Sequence, residues 1–345
     1  MKIVVTARNG TRDFECERGE KILHAGLRSG VELPYECATG TCGTCKARLT
    51  GGRAESEWPE APGRKYFKAE GDLLTCQSVA HEDCTLEVGP LKTCEPDASA
   101  PRALDGILRR LRPLTHDVVA FDVEIDGPLD FAAGQFALIT VPGIAGARAY
   151  SMVNFDRGAE RLSFVVKKKP GGGVSEWLFG GEVEGTRLEL FAPLGRATFH
   201  PDVKKHVLCI AGGSGIAGMM SILSRACGAE YFAERDGAVF FGVRTARDHF
   251  FLDELEAFRR RFSARLAVTV ALSDEEVPDA LVAAYPAFTF ARGFVHAVAG
   301  EAMKGRYADV RAWVAGPPPM VDASLRLLLR EARLSPADIR YDKFS

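Results

Sequence analysis

Pro34-Tyr-Glu-Cys37-Ala-Thr-Gly40-Thr-Cys42-Gly43-Thr-Cys45-Lys-Ala-Arg-Leu49 sets three cysteines at C-x4-C-x2-C, and Cys76 follows in Leu73-Leu-Thr-Cys76-Gln-Ser78. This is the plant-type 2Fe–2S spacing. Two irons need four thiolates, and a wrapping loop supplies three of them at this interval. Gly40 and Gly43 allow the partly left-handed backbone that such wrapping requires, and let N–H groups approach the sulfurs. A zinc knuckle is the competing reading, but zinc sites favour paired C-x2-C units or histidine partners, which are missing here. The predicted metal ligands are therefore Cys37, Cys42, Cys45 and Cys76. Cys16, Cys84, Cys94, Cys209 and Cys227 read as small buried hydrophobes or free surface thiols.

The rest of the chain suits that motif. Its 345 residues are enough for two or three domains, and 46% hydrophobic with 26% charged residues is an ordinary globular balance. A net charge of −2 makes no electrostatic case for nucleic acid or an anionic membrane. The 9 cysteines are an odd number, and the start Met1-Lys-Ile-Val-Val lacks a signal-peptide pattern. A reducing, cytoplasmic setting is expected. The uncharged run Val207–Leu223 holds four glycines and reads as strand, turn and helix rather than a bilayer span. A monomer is the default expectation.

Residues 1–92 read as a small β-rich unit: strand-like runs Lys2–Arg8 and Thr11–Glu17 flank Asn9-Gly10, a hairpin signal. A short helix around Ile22–Leu27 follows, stopped by Gly30. Residues 93–102 have linker composition. From 103 to 202, short β-runs (Val118–Ile125, Phe136–Val141, Leu162–Lys167, Arg187–Phe191) suggest an antiparallel barrel. From 203 to 345 the rhythm becomes strand, glycine turn, helix: His206–Ala211, Ala238–Arg244, Arg265–Ser273, Val310–Ala315 and Ile339–Tyr341 are predicted strands, with Met320–Ala332 helical. That rhythm implies a parallel α/β sheet.

Four further motifs carry chemistry. Arg148-Ala-Tyr150-Ser151 offers a guanidinium for a pyrophosphate, a ring to stack on a flavin and a hydroxyl for its N5 region. Gly172-Gly-Val174-Ser175 can open a helix toward a phosphate. Gly212-Gly213-Ser214-Gly215 lies where a strand meets a helix, fit to cradle a dinucleotide, though it is not G-x-G-x-x-G. Gly316-Pro317-Pro-Pro-Met320 repeats that geometry near the end of the chain. Taken singly each motif also has a bland reading as an ordinary turn. A Ser/His/Asp or HExxH-like constellation is missing, and His296 reads as structural.

In this order the motifs resemble the ferredoxin–NADP reductase superfamily, in the branch with an N-terminal ferredoxin domain, over the whole chain. They are similar in character to the reductase components of toluene and phenol monooxygenases and of benzoate dioxygenase. Trp58–Gly63, Asp342–Phe344 and Arg292–His296 carry the finer similarity. The resemblance implies a β-grasp-like 2Fe–2S domain, an antiparallel FAD barrel and a parallel-sheet nicotinamide domain. It implies NADH oxidation through FAD and the cluster, with an oxygenase or its Rieske-type ferredoxin as acceptor. Arg148 would bind the FAD pyrophosphate, Tyr150 would stack on the flavin and Ser151 would bond near N5. Val166, Lys167, Gly172, Val174 and Ser175 would line FAD. Gly212 to Gly215, Pro317 and Met320 would hold the nicotinamide cofactor, with Gly316 near its ring. Phe344 would cover the flavin's other face, or be a core residue of the last strand.

Two departures stand out. Ala315 replaces the family's usual Cys, which implies slower hydride transfer or a differently held nicotinamide. Gly218 replaces a Pro at the helix start, loosening it. For the adenosine ribose, Arg244 suits a 2′-phosphate and Asp248 suits a 2′-hydroxyl; the branch favours NADH. A reductase for a deoxysugar dehydratase and a non-catalytic iron–sulfur carrier or sensor are the alternatives.

Overall fold

Asn9-Gly10 turns β1 (Lys2–Ala7) into β2 (Gly10–Glu15), with Gly10 at φ 141°, a conformation that favours glycine. The computed structural model describes residues 1–92 and 99–344. After α1 (Ile22–Arg28) come β3 (Lys46–Gly51), β4 (Ala54–Ser56), β5 (Asp72–Leu74), β6 (Ser78–Ala80) and β7 (Cys84–Val88). The five-stranded sheet runs β2-β1-β7-β3-β5 with β1 and β7 parallel, while β4 and β6 form a separate ribbon. Ile22, Leu23, Ala25 and Leu27 bury one side of α1 in this domain's core, the grasp arrangement.

The barrel domain contains β8 (Arg102–Pro113), β9 (Val118–Leu129), β10 (Phe136–Thr140), β11 (Arg148–Ser151), β12 (Ala159–Lys167), α2 (Gly173–Phe179) and β13 (Arg187–Leu194). Its antiparallel order is β11-β10-β13-β8-β9-β12. The ends approach each other where Val153 N donates to Ser163 O at 2.8 Å, giving a half-barrel. The predicted linker lies outside the described residues over 93–98, Cys94 included, and its last residue, Arg102, already starts β8. Arg109, Arg110 and Arg112 hide this strand's alternation in the sequence, yet Leu104, Gly106 and Leu108 point into the core.

Six strands and five helices build the third domain: β14 (His206–Gly212), α3 (Ile216–Gly228), β15 (Gly237–Val243), α4 (Leu252–Arg261), β16 (Leu266–Leu272), α5 (Asp279–Ala284), β17 (Thr289–Arg292), α6 (Val295–Ala302), β18 (Val310–Gly316), α7 (Pro318–Arg326) and β19 (Ile339–Lys343). The sheet is wholly parallel in the order β17-β16-β15-β14-β18-β19. Near-continuous apolar runs such as Val207–Ala211 are buried on both faces, as a helix-covered parallel sheet demands. The strand order reverses between β14 and β18, so a crevice opens at their carboxyl ends. The predicted Met320–Ala332 helix starts earlier and ends in a π-helical turn, Leu327–Glu331. Among the described residues no helix is long and apolar enough to cross a membrane, and Val207–Leu223 divides into β14, the glycine turn and α3.

Side chains cross both domain seams. Phe136, Leu138, Phe191 and Leu194 of the barrel join the ferredoxin core, and Val118, Ala120 and Val165 join the nucleotide-domain core. Burying such a side chain contributes about 1.5–3 kcal/mol. The Glu32–Arg196 ion pair at the first seam adds about 1 kcal/mol or less if it behaves as surface pairs do, so apolar packing holds the domains together.

Candidate redox site

The loop 37–45 brings its thiols into two pairs. Cys45 Sγ lies 3.2 Å from Cys76 Sγ, and Cys42 N donates to Cys37 Sγ at 3.4 Å. Among the described residues, no three of these sulfurs lie within 4.8 Å of one another. A single tetrahedral ion needs all its ligands to converge; two pairs suit two irons. Further N–H groups aim at sulfur: Thr39 N at Cys37 (3.4 Å), Thr44 N at Cys42 (3.5 Å) and Gln77 Nε2 at Cys76 (3.6 Å). The interaction between the Cys37 and Cys42 thiols, with the amides on Cys37, holds the Cys37 thiol down to about 4 and pushes Cys42 up. Gly40 and Gly43 adopt φ 83° and 76°, and a Cβ on Gly43 would lie 2.3 Å from Tyr66 Cδ2. The segment 58–66 thus wraps the loop, with Trp58 against Gly40. The sequence reading missed both aromatics as part of the site.

In the barrel, β11 presents Arg148, Tyr150 and Ser151 in register with β10. Arg148 Nη1 folds back on the carbonyls of Ala145, Gly146 and Ala147 at 3.1–3.3 Å. Tyr150 is half-buried, and burial pushes its phenol up to about 12. Ser151 is buried, with its Cβ 3.6 Å from where a Cβ on Gly218 would sit. Gly218 at the start of α3 thus faces β11 with room for an ordinary van der Waals contact. Ser175 Oγ is used within its own turn, accepting from Lys169 N at 3.0 Å and facing Gly172 O at 3.0 Å. Val174 and Val166 are core side chains, so only their backbones can face a ligand. Lys167 Nζ is paired with Asp117 at 2.9 Å.

The nucleotide crevice is built by two glycine turns on adjacent strands. A Cβ on Gly215 would fall 2.1 Å from Ala315 O, and one on Gly212 would fall 3.0 Å from Met320 Cε and 3.3 Å from Pro317 Cδ. Gly316, at φ 147°, would meet Met320 Cε at 2.6 Å, so Met320 closes on both turns. Gly213, at φ 53°, has nothing within 4 Å of its Cβ position, which leaves an open face beside Ser214 at the mouth of α3. Phosphates fit such a cradle of free N–H groups. Phe344 N donates to Gly316 O at 3.0 Å, and its half-buried ring packs on the nucleotide-domain core.

The structure parts Asp248 from Arg244. Arg244 is exposed, whereas Asp248 is buried and closes a capping box with Thr245, its Oδ2 accepting from Thr245 N (2.9 Å) and Oγ1 (2.7 Å). One oxygen of the carboxylate that the sequence offered to a ribose is thus engaged within its own loop. Conversely Asp342, unremarked in the sequence as a functional group, pairs with Ala315 in the sheet, and burial followed by Glu36 raises it to about 7. Tyr341 Oη donates to Glu36 at 3.2 Å, tying the cluster loop to β19. The cluster loop thus touches β19 through Glu36, β11 touches α3 through Ser151, and the Gly212 and Gly316 turns lie side by side.

Comparison with known proteins identifies the three domains. The chain matches the 2Fe-2S iron-sulfur cluster binding domain over residues 5–81, the oxidoreductase FAD-binding domain over 106–199 and the oxidoreductase NAD-binding domain over 209–325. It is 34% identical to the ferredoxin–NAD(P)+ reductase CarAd of Metapseudomonas resinovorans, covering 95% of this chain and 96% of the relative. The ferredoxin–NAD+ reductase component of the Xanthobacter autotrophicus alkene monooxygenase system is 33% identical, covering 97% and 99%. Among solved structures, the ferredoxin reductase in carbazole 1,9a-dioxygenase superposes with a TM-score of 0.82 at 30% identity, covering 100% and 99%. The chain therefore belongs to the ferredoxin–NAD(P)+ reductase family, among the FAD-containing oxidoreductases that carry an N-terminal 2Fe–2S ferredoxin domain and supply electrons to oxygenase systems.

Proposed function

We propose that this chain oxidises NADH and passes the electrons, one at a time, to an oxygenase or to a Rieske-type ferredoxin serving one. The observation that carries the reading is a set of three contacts between the parts: Ser151 against Gly218, the Gly212 and Gly316 turns side by side, and Glu36 tied to Tyr341. FAD, when bound, would supply the exchange between one hydride, which carries two electrons, and the single electrons that a 2Fe–2S cluster takes. The protein's own part is positioning. Cys37, Cys42, Cys45 and Cys76 would hold the irons, and the amides of Thr39, Cys42 and Thr44 would stabilise negative charge on the sulfurs. Tyr150 and Ser151 would hold the flavin, with Arg148 released from its own loop to meet the pyrophosphate. Gly212 to Gly215 would bind the dinucleotide phosphates, and the Gly316 turn, packed close against Gly212, would lie near the nicotinamide ring. For NADH over NADPH the support is the NAD+-linked alkene monooxygenase relative. Asp248 does not supply it.

Anaerobic addition of NADH, then NADPH, to the FAD- and iron-loaded protein tests the reading, followed by visible absorption. Bleaching of both flavin and iron–sulfur bands by NADH, at a lower concentration than NADPH requires, is expected. Cys76→Ser should keep the flavin change and lose the iron–sulfur bands. Preference for NADPH would overturn the choice of donor.

A further inference from the structure

The electron path leaves unused a chain of charged groups that spans the seam between the barrel and the nucleotide domain. The turn between β8 and β9 carries Thr115, His116 and Asp117. Asp117 is fixed from three sides: Lys167 Nζ lies 2.9 Å from its Oδ2, Thr115 Oγ1 donates to its Oδ1 at 3.1 Å, and Lys168 N donates to its main-chain O at 2.7 Å. His116 then reaches across. Its Nε2 lies 3.7 Å from Asp117 Oδ2, and its Nδ1 lies 3.8 Å from Asp248 Oδ1. Asp248 is buried and spends its other oxygen on Thr245, so Oδ1 is the oxygen left for a partner from outside the loop. Around this chain the seam is apolar, with Val118, Ala120 and Val165 sharing a core with Phe250 and Phe251.

We propose that His116 is a positioning residue which, from the flavin domain, clamps the Arg244–Asp248 loop of the nucleotide domain and so sets the affinity for the ribose end of the dinucleotide. The inference rests on the reading of that loop as the ribose-facing one. Separations of 3.7 and 3.8 Å are too long for hydrogen bonds and act through charge. A protonated imidazole attracts both carboxylates, whereas a neutral one leaves Asp248 without a counter-charge. The groups that face His116 are Asp117 on its own turn, Asp248 on the loop and, behind Asp117, Lys167 at the end of β12. Glu275, which accepts the Ala246 N–H, and His249, lowered by burial, also belong to the loop's surroundings. An imidazole is a cation only when protonated, so affinity should be higher at the acid end than at the alkaline end.

The test uses the full-length protein carrying FAD and cluster, with oxidised NAD+ titrated by calorimetry between pH 5.5 and 8.5 so that no turnover occurs. The wild-type Kd should rise about two- to fivefold across this range, the size of a partly exposed ion pair. His116→Ala should bind weakly at every pH. His116→Lys, which keeps a cation, should bind tightly at both ends. KM for NADH should follow Kd with kcat unchanged, and amide exchange over 245–251 should quicken in His116→Ala. A pH profile in His116→Ala identical to the wild type overturns the proposal, as does equal loss in His116→Ala and His116→Lys, the mark of a merely structural role. Wild-type protein that binds no NAD+ at any pH would overturn the donor reading and this inference together.

Discussion

At Gly215 and Gly213 the same three-residue turn uses glycine for two different reasons. Gly215 is pressed against β18, where a methyl group would sit 2.1 Å from Ala315 O and 2.5 Å from its carbon. Gly213 has open space but a φ of 53°. Gly215→Ala should therefore push the β14 and β18 turns apart, lowering stability by about 1–3 kcal/mol and raising the KM for NADH. Gly213→Ala should cost only about 1–2 kcal/mol of backbone strain. Thermal unfolding and steady-state kinetics on the two variants would check this; equal KM values in Gly215→Ala and wild type would contradict it. Glycines were visible in the sequence as a phosphate cradle, but not that one of them is there to let two strands meet. The cysteines were more legible, because their spacing alone implies a wrapped loop.

Among the elements, α1 and β13 show how the ferredoxin domain is seated. His24 of α1 stacks on Phe191 of β13, with ring centroids 4.0 Å apart and 9° between planes. Burial, and then the neighbouring Lys21, lower its pKa from 6.5 to about 4, while Glu20 opposes. The neutral form is thus the one the seam accepts. Its contribution is complete above pH ~6.5 and is lost as pH falls toward 4, by roughly 3 kcal/mol in all. His24→Phe should keep the stack and remove the titration, shifting the acid-unfolding midpoint downward. An unchanged midpoint would show that the seam does not sense this proton. The period of α1 was readable from its apolar residues. That its histidine lies under a strand more than 160 positions away was not, since no local pattern encodes a partner so distant.

For the whole molecule, function depends on how the domains are held. Tyr35 Oη accepts the Gly195 N–H at 3.0 Å across the ferredoxin–barrel seam, and Glu32 pairs with Arg196 beside it. Tyr35→Phe leaves that part-buried N–H unsatisfied, a cost of about 1–3 kcal/mol against the docked arrangement. Flavin reduction by NADH should keep its rate while cluster reduction slows, which rapid-mixing absorption at the two sets of bands would separate. Equal slowing of both steps would mean that Tyr35 supports the fold as a whole rather than the seam.

By itself the sequence determined the domain types and their order, because each rests on local chemistry: cysteine spacing for the ferredoxin loop, short alternating runs for the barrel, glycine turns between apolar runs for the parallel sheet. It missed β8, whose arginines mask the alternation of Leu104, Gly106 and Leu108. Only the tertiary structure decided that Asp248 faces His116 and its own capping box rather than open space, and that Asp342 pairs with Ala315 across β18 and β19, where burial and then Glu36 raise its pKa. The physical reason is the same in both cases. A carboxylate's role depends on burial and on which charge stands opposite, and both come from chain segments far away in sequence.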